Sequence, residues 1–333
     1  DKAAALAAIL TAVVRPTLAY APAFHVKAPV SGSGKTYLCE LIGAFAGPGG
    51  NPKVSYPTSA EEATKTILSL LLTNPAVVEF DDMDNDWLPH GIIKRMLTAE
   101  HITDRILGVS KTATVSTRTL FLGSGNNVGP IRDLQRRVLT INIDPRCATP
   151  ATLSYRDLPV EKVRQQRGLF VGAALTIALA WRAAGCPRTA VDSIVTYNGA
   201  WSDYCRHPLI YLGYPDPATA LLEQVRQDPD GEALYVLMSE WHNLFQSIPT
   251  TIRKAIDEAH ATGNKLLDAI REFPVEENGR INHSKLGWIL KKNVNRVVKG
   301  LELQKAVADG RVAWRVVPTN PPASPASPLP DFP

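Results

Sequence analysis

The spacing of hydrophobic and polar positions changes along the chain, and the changes mark its organisation. Residues 3–14 are nearly all alanine, leucine and valine and predict a buried or amphipathic helix, closed by Arg15-Pro16. Ala23-Phe24-His25-Val26 predicts a short strand that runs into a glycine-serine loop over 29–36 and then a helix. Thr58-Ser59 followed by Glu61-Glu62 is a capping-box signature for a helix to about Leu72, which Asn74-Pro75 ends. Ala76–Phe80 predicts a buried strand delivering Asp81 and Asp82 at its C-terminal end. A helix near 91–99, a hairpin-like stretch over 104–115, a strand over 119–122, a polar turn over 123–129 and a β-like run to Ile143 follow. Strands alternating with helices predict an α/β domain with a mostly parallel, doubly wound sheet, whose ligand sits at the C-terminal ends of the strands.

Beyond Pro145 the period becomes helical, clearest over 160–184, where Gly185-Cys186-Pro187 stops it. A further helix over 285–297 precedes two β-like runs around Ala308-Asp309-Gly310, a pattern that predicts a small winged helix. The expected organisation is an α/β core over 1–150, a helical domain over 151–270, a basic winged-helix-like module over 271–317 and an extended tail over 318–333 with seven prolines. There is no internal repeat.

Composition narrows the function classes. Hydrophobic residues are 45% and charged residues 20% of the 333 residues, and no apolar run approaches the roughly 18 residues of a membrane span, so a soluble, cytoplasmic protein is expected. The alanine-rich start lacks the cleavage site of a signal peptide. Beginning at Asp1 and not at Met, the chain is expected to be a piece of a longer protein. Cys39, Cys147, Cys186 and Cys205 are too far apart for a CxxC metal or redox motif and are expected to be reduced, mostly buried thiols. The net charge of +4 excludes a strongly basic chain, but 281–317 holds eight Lys/Arg against Glu302 and Asp309, the electrostatics of a nucleic-acid contact.

Four motifs carry candidate chemistry. Pro29-Val30-Ser31-Gly32-Ser33-Gly34-Lys35-Thr36 matches a phosphate-binding Walker A loop except for proline at the first glycine position. Backbone N–H groups from Ser31 to Tyr37 can cradle phosphates, Lys35 can reach the β/γ oxygens, and Thr36 can bind Mg²⁺. Val77–Asp82 ends an apolar strand in paired carboxylates, one to hold the metal and one to polarise the attacking water; Asp84 and Asp86 read as solvated or capping residues. Leu120–Asn127 presents an amide, Asn126, that can orient a lytic water without adding charge. Arg136 and Arg137 precede a β-like run, where an arginine can act on a neighbouring subunit's γ-phosphate.

In this order, PVSGSGKT, VVEFDD, LTAEHITDRILGVSK, FLGSGNN and DLQRRVLTINI resemble the superfamily 3 and related phage- or plasmid-type replicative helicases of the AAA+ class, over about 29–144. The resemblance implies an AAA+ P-loop core with a helical lid, ATP and Mg²⁺ as cofactors, Lys35 and Thr36 as Walker A, Asp81 and Asp82 as Walker B with Asp81 a metal ligand, and Asn126 as sensor 1. It further implies Arg137 as arginine finger, with Arg136 the close alternative, and a hairpin before sensor 1 whose tip, at Lys111, grips the strand inside a channel. Implied partners are single-stranded or forked DNA, further copies of the chain in a hexameric ring, and an upstream primase domain or other replication partner. The implied activity is an ATP-dependent helicase; a helicase loader or initiator, or an ATP-switched DNA-binding regulator, is the alternative. Pro29 and the Asp81-Asp82 pair depart from the usual pattern, and the second leaves open which carboxylate is catalytic.

Remaining candidates are weaker. Lys291, Lys292 and Arg296 fall on the expected recognition helix and can meet phosphates, although winged helices also dock proteins. Arg164 and Arg167 read as a solvated helix face, with a second sensor as the alternative, and His25, Trp181, Trp201, Trp241 and Trp288 read as core.

Overall fold

The computed structural model describes residues 1–106, 111–147, 149–152, 157–226, 229–262, 265–277 and 279–319. Residues 107–110, within the expected hairpin stretch, and the expected proline-rich tail from 320 onward lie outside the described residues. The chain divides into two units, Asp1–Arg226 and Gln227–Pro333.

In the first unit, helix α1 (Lys2–Val14) precedes strand β1 (Ala23–Ala28), helix α2 (Lys35–Ala46), strand β2 (Lys53–Val54), helix α3 (Ala60–Leu72) and strand β3 (Val77–Met83). Helix α4 (Gly91–Met96), the antiparallel pair β4 (His101–Arg105) and β5 (Thr112–Ser116), then β6 (Leu120–Asn126) and β7 (Val138–Asn142) complete the α/β part. The sheet is parallel and five-stranded in the order β2-β3-β6-β1-β7. Its strands carry near-continuous apolar runs because both faces are covered. One face packs on α1 and α2 through Ala8, Leu10, Phe24, Ile42 and Leu122, the other on α3 and α4 through Ile67, Phe80, Ile93 and Phe121. The capping signature forms as expected: Ser59 Oγ accepts from the Glu62 N–H at 3.2 Å, and Glu62 accepts from the Thr58 N–H at 3.4 Å.

Helices α5 (Pro159–Gln165), α6 (Arg167–Ala183), α7 (His207–Tyr211) and α8 (Thr219–Arg226) belong to this unit, and Val163, Ala174, Trp201 and Leu221 enter the same core as α1 and α2. The helix expected over 160–184 is broken at Gln166 (φ −122, ψ 35). Just past the break, Arg167 donates to the Ala44 and Phe45 carbonyls at 3.2 and 2.8 Å, capping the C-terminus of α2, so it is neither a solvated face nor free to act as a sensor. Gly185 ends α6 at φ +83.

The second unit contains α9 (Pro229–Phe245), α10 (Ile252–Thr262), α11 (Lys265–Arg271), the short pair β8 (Glu276–Glu277) and β9 (Arg280–Ile281), α12 (His283–Lys292), and an antiparallel sheet of β10 (Val297–Val298), β11 (Leu301–Ala308) and β12 (Arg311–Pro318). Trp241, Leu286, Leu290, Leu303 and Trp314 form its core. Asp309 (φ 50) and Gly310 (φ 71) make the β11–β12 turn with both central residues left-handed, the geometry that matches strand twist. The helix expected over 285–297 stops at Lys292 because the Asn293 side chain donates to the Ile289 carbonyl and Asn295 turns to φ 62. Arg296 therefore lies in the turn after the helix, not on it. Among the described residues no helix is long and apolar enough to cross a membrane.

Candidate functional site

Three parallel strands deliver the candidate residues to one edge of the sheet. β6 lies between β1 and β3, with Ala28 opposite Asn126 and Met83 opposite Gly125, so the loop after β1, the end of β3 and the end of β6 emerge side by side. The strand β6 runs through Gly123–Asn126, where a polar turn is expected from the sequence. Pairing on both sides stabilises it, and a Cβ at Gly123 would come within 2.5 Å of Trp87 while one at Gly125 would come within 2.3 Å of Val128. The glycines mark a close approach inside the sheet, not a reversal.

Gly32 (φ +73) and Gly34 (φ +86) give the loop its left-handed turns, and Gly34 caps the N-terminus of α2. Ser33 Oγ closes the loop on the Val30 carbonyl at 2.6 Å. Ser31 is exposed, and open space surrounds the Cβ direction at Gly34, whereas Ala151 lies against Gly32. Lys35 is buried, and its Nζ donates to Asn126 Oδ1 at 2.7 Å. Tyr37, half in solvent, accepts from the Val160 N–H at 3.2 Å and thereby touches α5.

The carboxylate pair sits in a β-bulge. Between Phe80 and Met83 the register shifts, so the chain has an extra residue against Gly123–Gly125, and Asp82 takes φ 48. The bulge turns Asp81 inward and leaves Asp82 exposed. Asp81 Oδ1 accepts from Thr36 Oγ1 at 3.2 Å, Ser124 Oγ at 2.9 Å and the Asp82 N–H at 3.1 Å, while Lys53 Nζ stands 3.5 Å from Oδ2. Partial burial pushes the Asp81 carboxyl up, but Ser124, Lys53, Thr36 and the Asp82 N–H outweigh burial and hold it below the ordinary carboxylate range. Behind it, Glu79 is fully buried; burial raises its pKa, and Asn51 Nδ2 donates to its carboxylate at 3.0 Å.

A buried clamp ties this edge together. His25 Nδ1 accepts from Trp87 Nε1 at 3.0 Å, so its Nε2 carries the proton and donates to the Val128 carbonyl at 2.9 Å. Burial pushes the His25 pKa down to about 4, so the ring stays neutral. Trp87 N–H donates to the Gly129 carbonyl, and Asp86 accepts from the Gly129 N–H, both at 2.9 Å. Asp86 is therefore a loop clamp and not a solvated residue. Ser124, Lys53 and Trp87 are the residues that sequence reasoning passes over. Only Ser124 carries a signal, its two-residue spacing from Asn126 on one strand face.

A phosphate fits the loop N–H groups at a helix start together with Lys35. Thr36 and Asp81 are hard oxygen donors of the kind that hold Mg²⁺ alongside phosphate oxygens and water. Among the described residues no group of three or more His, Cys, Asp or Glu could hold a metal.

Neither a protein-family model nor a curated protein matches the chain.

The other candidates lie elsewhere. Arg137 precedes β7 and Ala23 starts β1, with Ala23 N–H bonded to the Arg137 carbonyl, so both arginines sit at the N-terminal edge of the sheet. That edge is roughly 16 Å of strand from the loop at about 3.3 Å per residue. Arg137, with a side chain only 12% exposed, pairs with Asp133 at 2.9 Å and donates to the Lys94 carbonyl at 3.3 Å; Arg136, 52% exposed, also bonds Asp133. Lys111 is exposed just before β5, its carbonyl accepting from the Ile106 N–H. Lys291 and Lys292 end α12 in the second unit, where they are exposed.

Proposed function

We propose that the chain is a P-loop ATPase of the AAA+ kind that assembles as a ring and works as an ATP-driven DNA translocase, separating strands at a fork. The observation that carries the reading is the convergence of Lys35, Thr36, Asp81 and Asn126 on one strand edge, with Lys35 on Asn126 and Thr36 on Asp81.

Each residue then has a task that its environment supports. The loop from Ser31 to Tyr37 and Lys35 would bind the phosphates, and Thr36 with Asp81 would hold Mg²⁺, which would supply positive charge to offset that of the phosphates. Ser124 and Lys53 keep Asp81 ionised and aimed at Thr36. Asp82, exposed beside it through the bulge, is the carboxylate free to accept a proton from the attacking water. Asn126, whose Oδ1 accepts from Lys35 Nζ, would orient the attacking water beside the lysine.

The arginines at the opposite edge are out of reach of their own loop, which supports action on a neighbour's nucleotide. Their exposures favour Arg136 as the finger, with Arg137 bracing Asp133 from inside. Helices α5–α8 serve as the lid, the β4–β5 hairpin carries Lys111 towards a strand in the channel, and the second unit serves as a basic winged helix.

The test is phosphate release from Mg-ATP. Wild type turns over, and Lys35→Ala and Asp82→Asn do not, the latter still binding nucleotide. Unchanged turnover in Lys35→Ala overturns the ATPase reading, and turnover without displacement of a forked duplex reassigns the protein as a loader or initiator.

A further inference from the structure

Helix α12 closes its core stripe without its tryptophan. Leu286, Ile289 and Leu290 are buried against Leu303, Trp314 and Val316, and Gly287 packs near Ile252. Trp288 stands on the opposite face and is 63% exposed, where the sequence pattern predicts a core residue. Leaving an indole in water forgoes its burial, so its position calls for a partner. Its surroundings on the helix say which kind. Ser284 precedes it by four residues, and Lys291 and Lys292 follow by three and four, so all lie on one face. Lys292 Nζ is 5.3 Å from the Trp288 ring centroid. Lys285 is held by Glu277 at 2.6 Å, but no carboxylate among the described residues pairs with Lys291 or Lys292.

We infer that this face of α12 is a binding site for unpaired nucleic-acid bases, with Trp288 stacking on a base and Lys291 and Lys292 meeting the adjoining phosphates. An aliphatic protein partner would be matched by an apolar surround, whereas an indole bracketed by cations that no carboxylate among the described residues neutralises matches a flat π-face next to a polyanion. A stacked base must present its face, which a base inside an intact duplex does not, so the site prefers single strands and fork junctions. The inference rests on the reading that the chain works on nucleic acid, and it is independent of whether the loop hydrolyses ATP.

The experiment measures binding of the full chain, without nucleotide, to a fluorescent oligothymidine and to a blunt duplex of equal length over a salt series. Base stacking on an aromatic residue sets the expected size: Trp288→Ala weakens oligothymidine binding about five-fold to a hundred-fold with an unchanged salt slope, and Trp288→Phe retains most of it. Lys291→Ala with Lys292→Ala instead flattens the single-strand salt slope by about 1.4. Duplex binding falls less than single-strand binding in Trp288→Ala. Oligothymidine affinity within two-fold of wild type in Trp288→Ala overturns the inference. So does a sedimentation shift in that variant with DNA binding intact, which makes a second copy of the chain the occupant. Trp288 lies outside the core, and matched melting curves for the Ala and Phe variants check that the fold is unchanged.

Discussion

The two edges of the parallel sheet handle charge in opposite ways. At the C-terminal edge the polar groups bond to one another across strands: Lys35 to Asn126, and Asp81 to Thr36, Ser124 and Lys53. They are held in place and still face open space at Gly34. At the N-terminal edge arginines dominate and are consumed by the fold. Arg15 is buried, donating to the Thr117, Thr119 and Leu18 carbonyls, and burial lowers its pKa to about 10. Arg118 bonds Glu100 and the Pro16 carbonyl, and Arg137 is enclosed by Asp133 and Lys94. Arg136 keeps one strong partner and half its surface in water. One edge thus gathers polar groups that bond to one another beside open space, and the other sets the half-solvated Arg136 beside the enclosed Arg137.

Mutations that separate the edges sharpen this contrast. The largest effect belongs to the C-terminal edge, where Asp81→Asn removes the negative charge beside Thr36 and Lys53 and is expected to reduce phosphate release to background. Next, Arg136→Ala is expected to lower turnover on the order of 10³-fold while nucleotide binding, measured with a fluorescent analogue, stays near wild type. Normal turnover in Arg136→Ala would shift the finger role to Arg137.

The clamp beneath the ligand edge makes stability depend on pH. His25 has a folded pKa near 4 against an ordinary value of 6.5, so the unfolded chain binds the extra proton between these values. Stability from this group is complete above pH 6.5 and is lost as pH falls towards 4, by about 3 kcal/mol in all. Urea titrations from pH 7.5 to 4 check this, and His25→Gln should flatten the slope whatever its own cost. A wild-type curve with no fall over that range refutes the buried neutral imidazole. The smallest effect is structural: Arg137→Ala breaks a mostly enclosed ion pair and should cost about 2 kcal/mol in the same titration, a loss that Arg136→Ala does not share. Equal losses in the two variants would erase the distinction between the enclosed and the half-solvated arginine.

Much of this was legible in the residues because the motifs lie at strand ends, and strand ends share an edge in a parallel sheet. The runs Ala23–Val26, Val77–Phe80 and Leu120–Leu122 announce themselves by apolarity, and Gly32 and Gly34 by the turn they permit. Lys53 was hidden because β2 has only two residues, too few for any period. The extension of β6 through Gly123–Asn126 was hidden because glycine signals a turn locally, while here it admits Trp87 and Val128 from distant positions. The bulge at Asp81-Asp82 depends on register, which no single strand encodes. Trp288 reads as core by residue type, and only the completed stripe of Leu286, Ile289 and Leu290 shows that it is left over.

The central claim is that the two edges meet across copies of the chain to make one ATPase site. Mixing two variants tests it directly: Lys35→Ala, dead at its own loop but carrying Arg136, and Arg136→Ala, with an intact loop but no finger. In mixed assemblies verified by light scattering, phosphate release is expected to rise well above that of either variant alone, because Arg136 of one subunit completes the loop of the other. Mixed assemblies that release no more phosphate than the sum of the separate variants would contradict a site shared between the two edges.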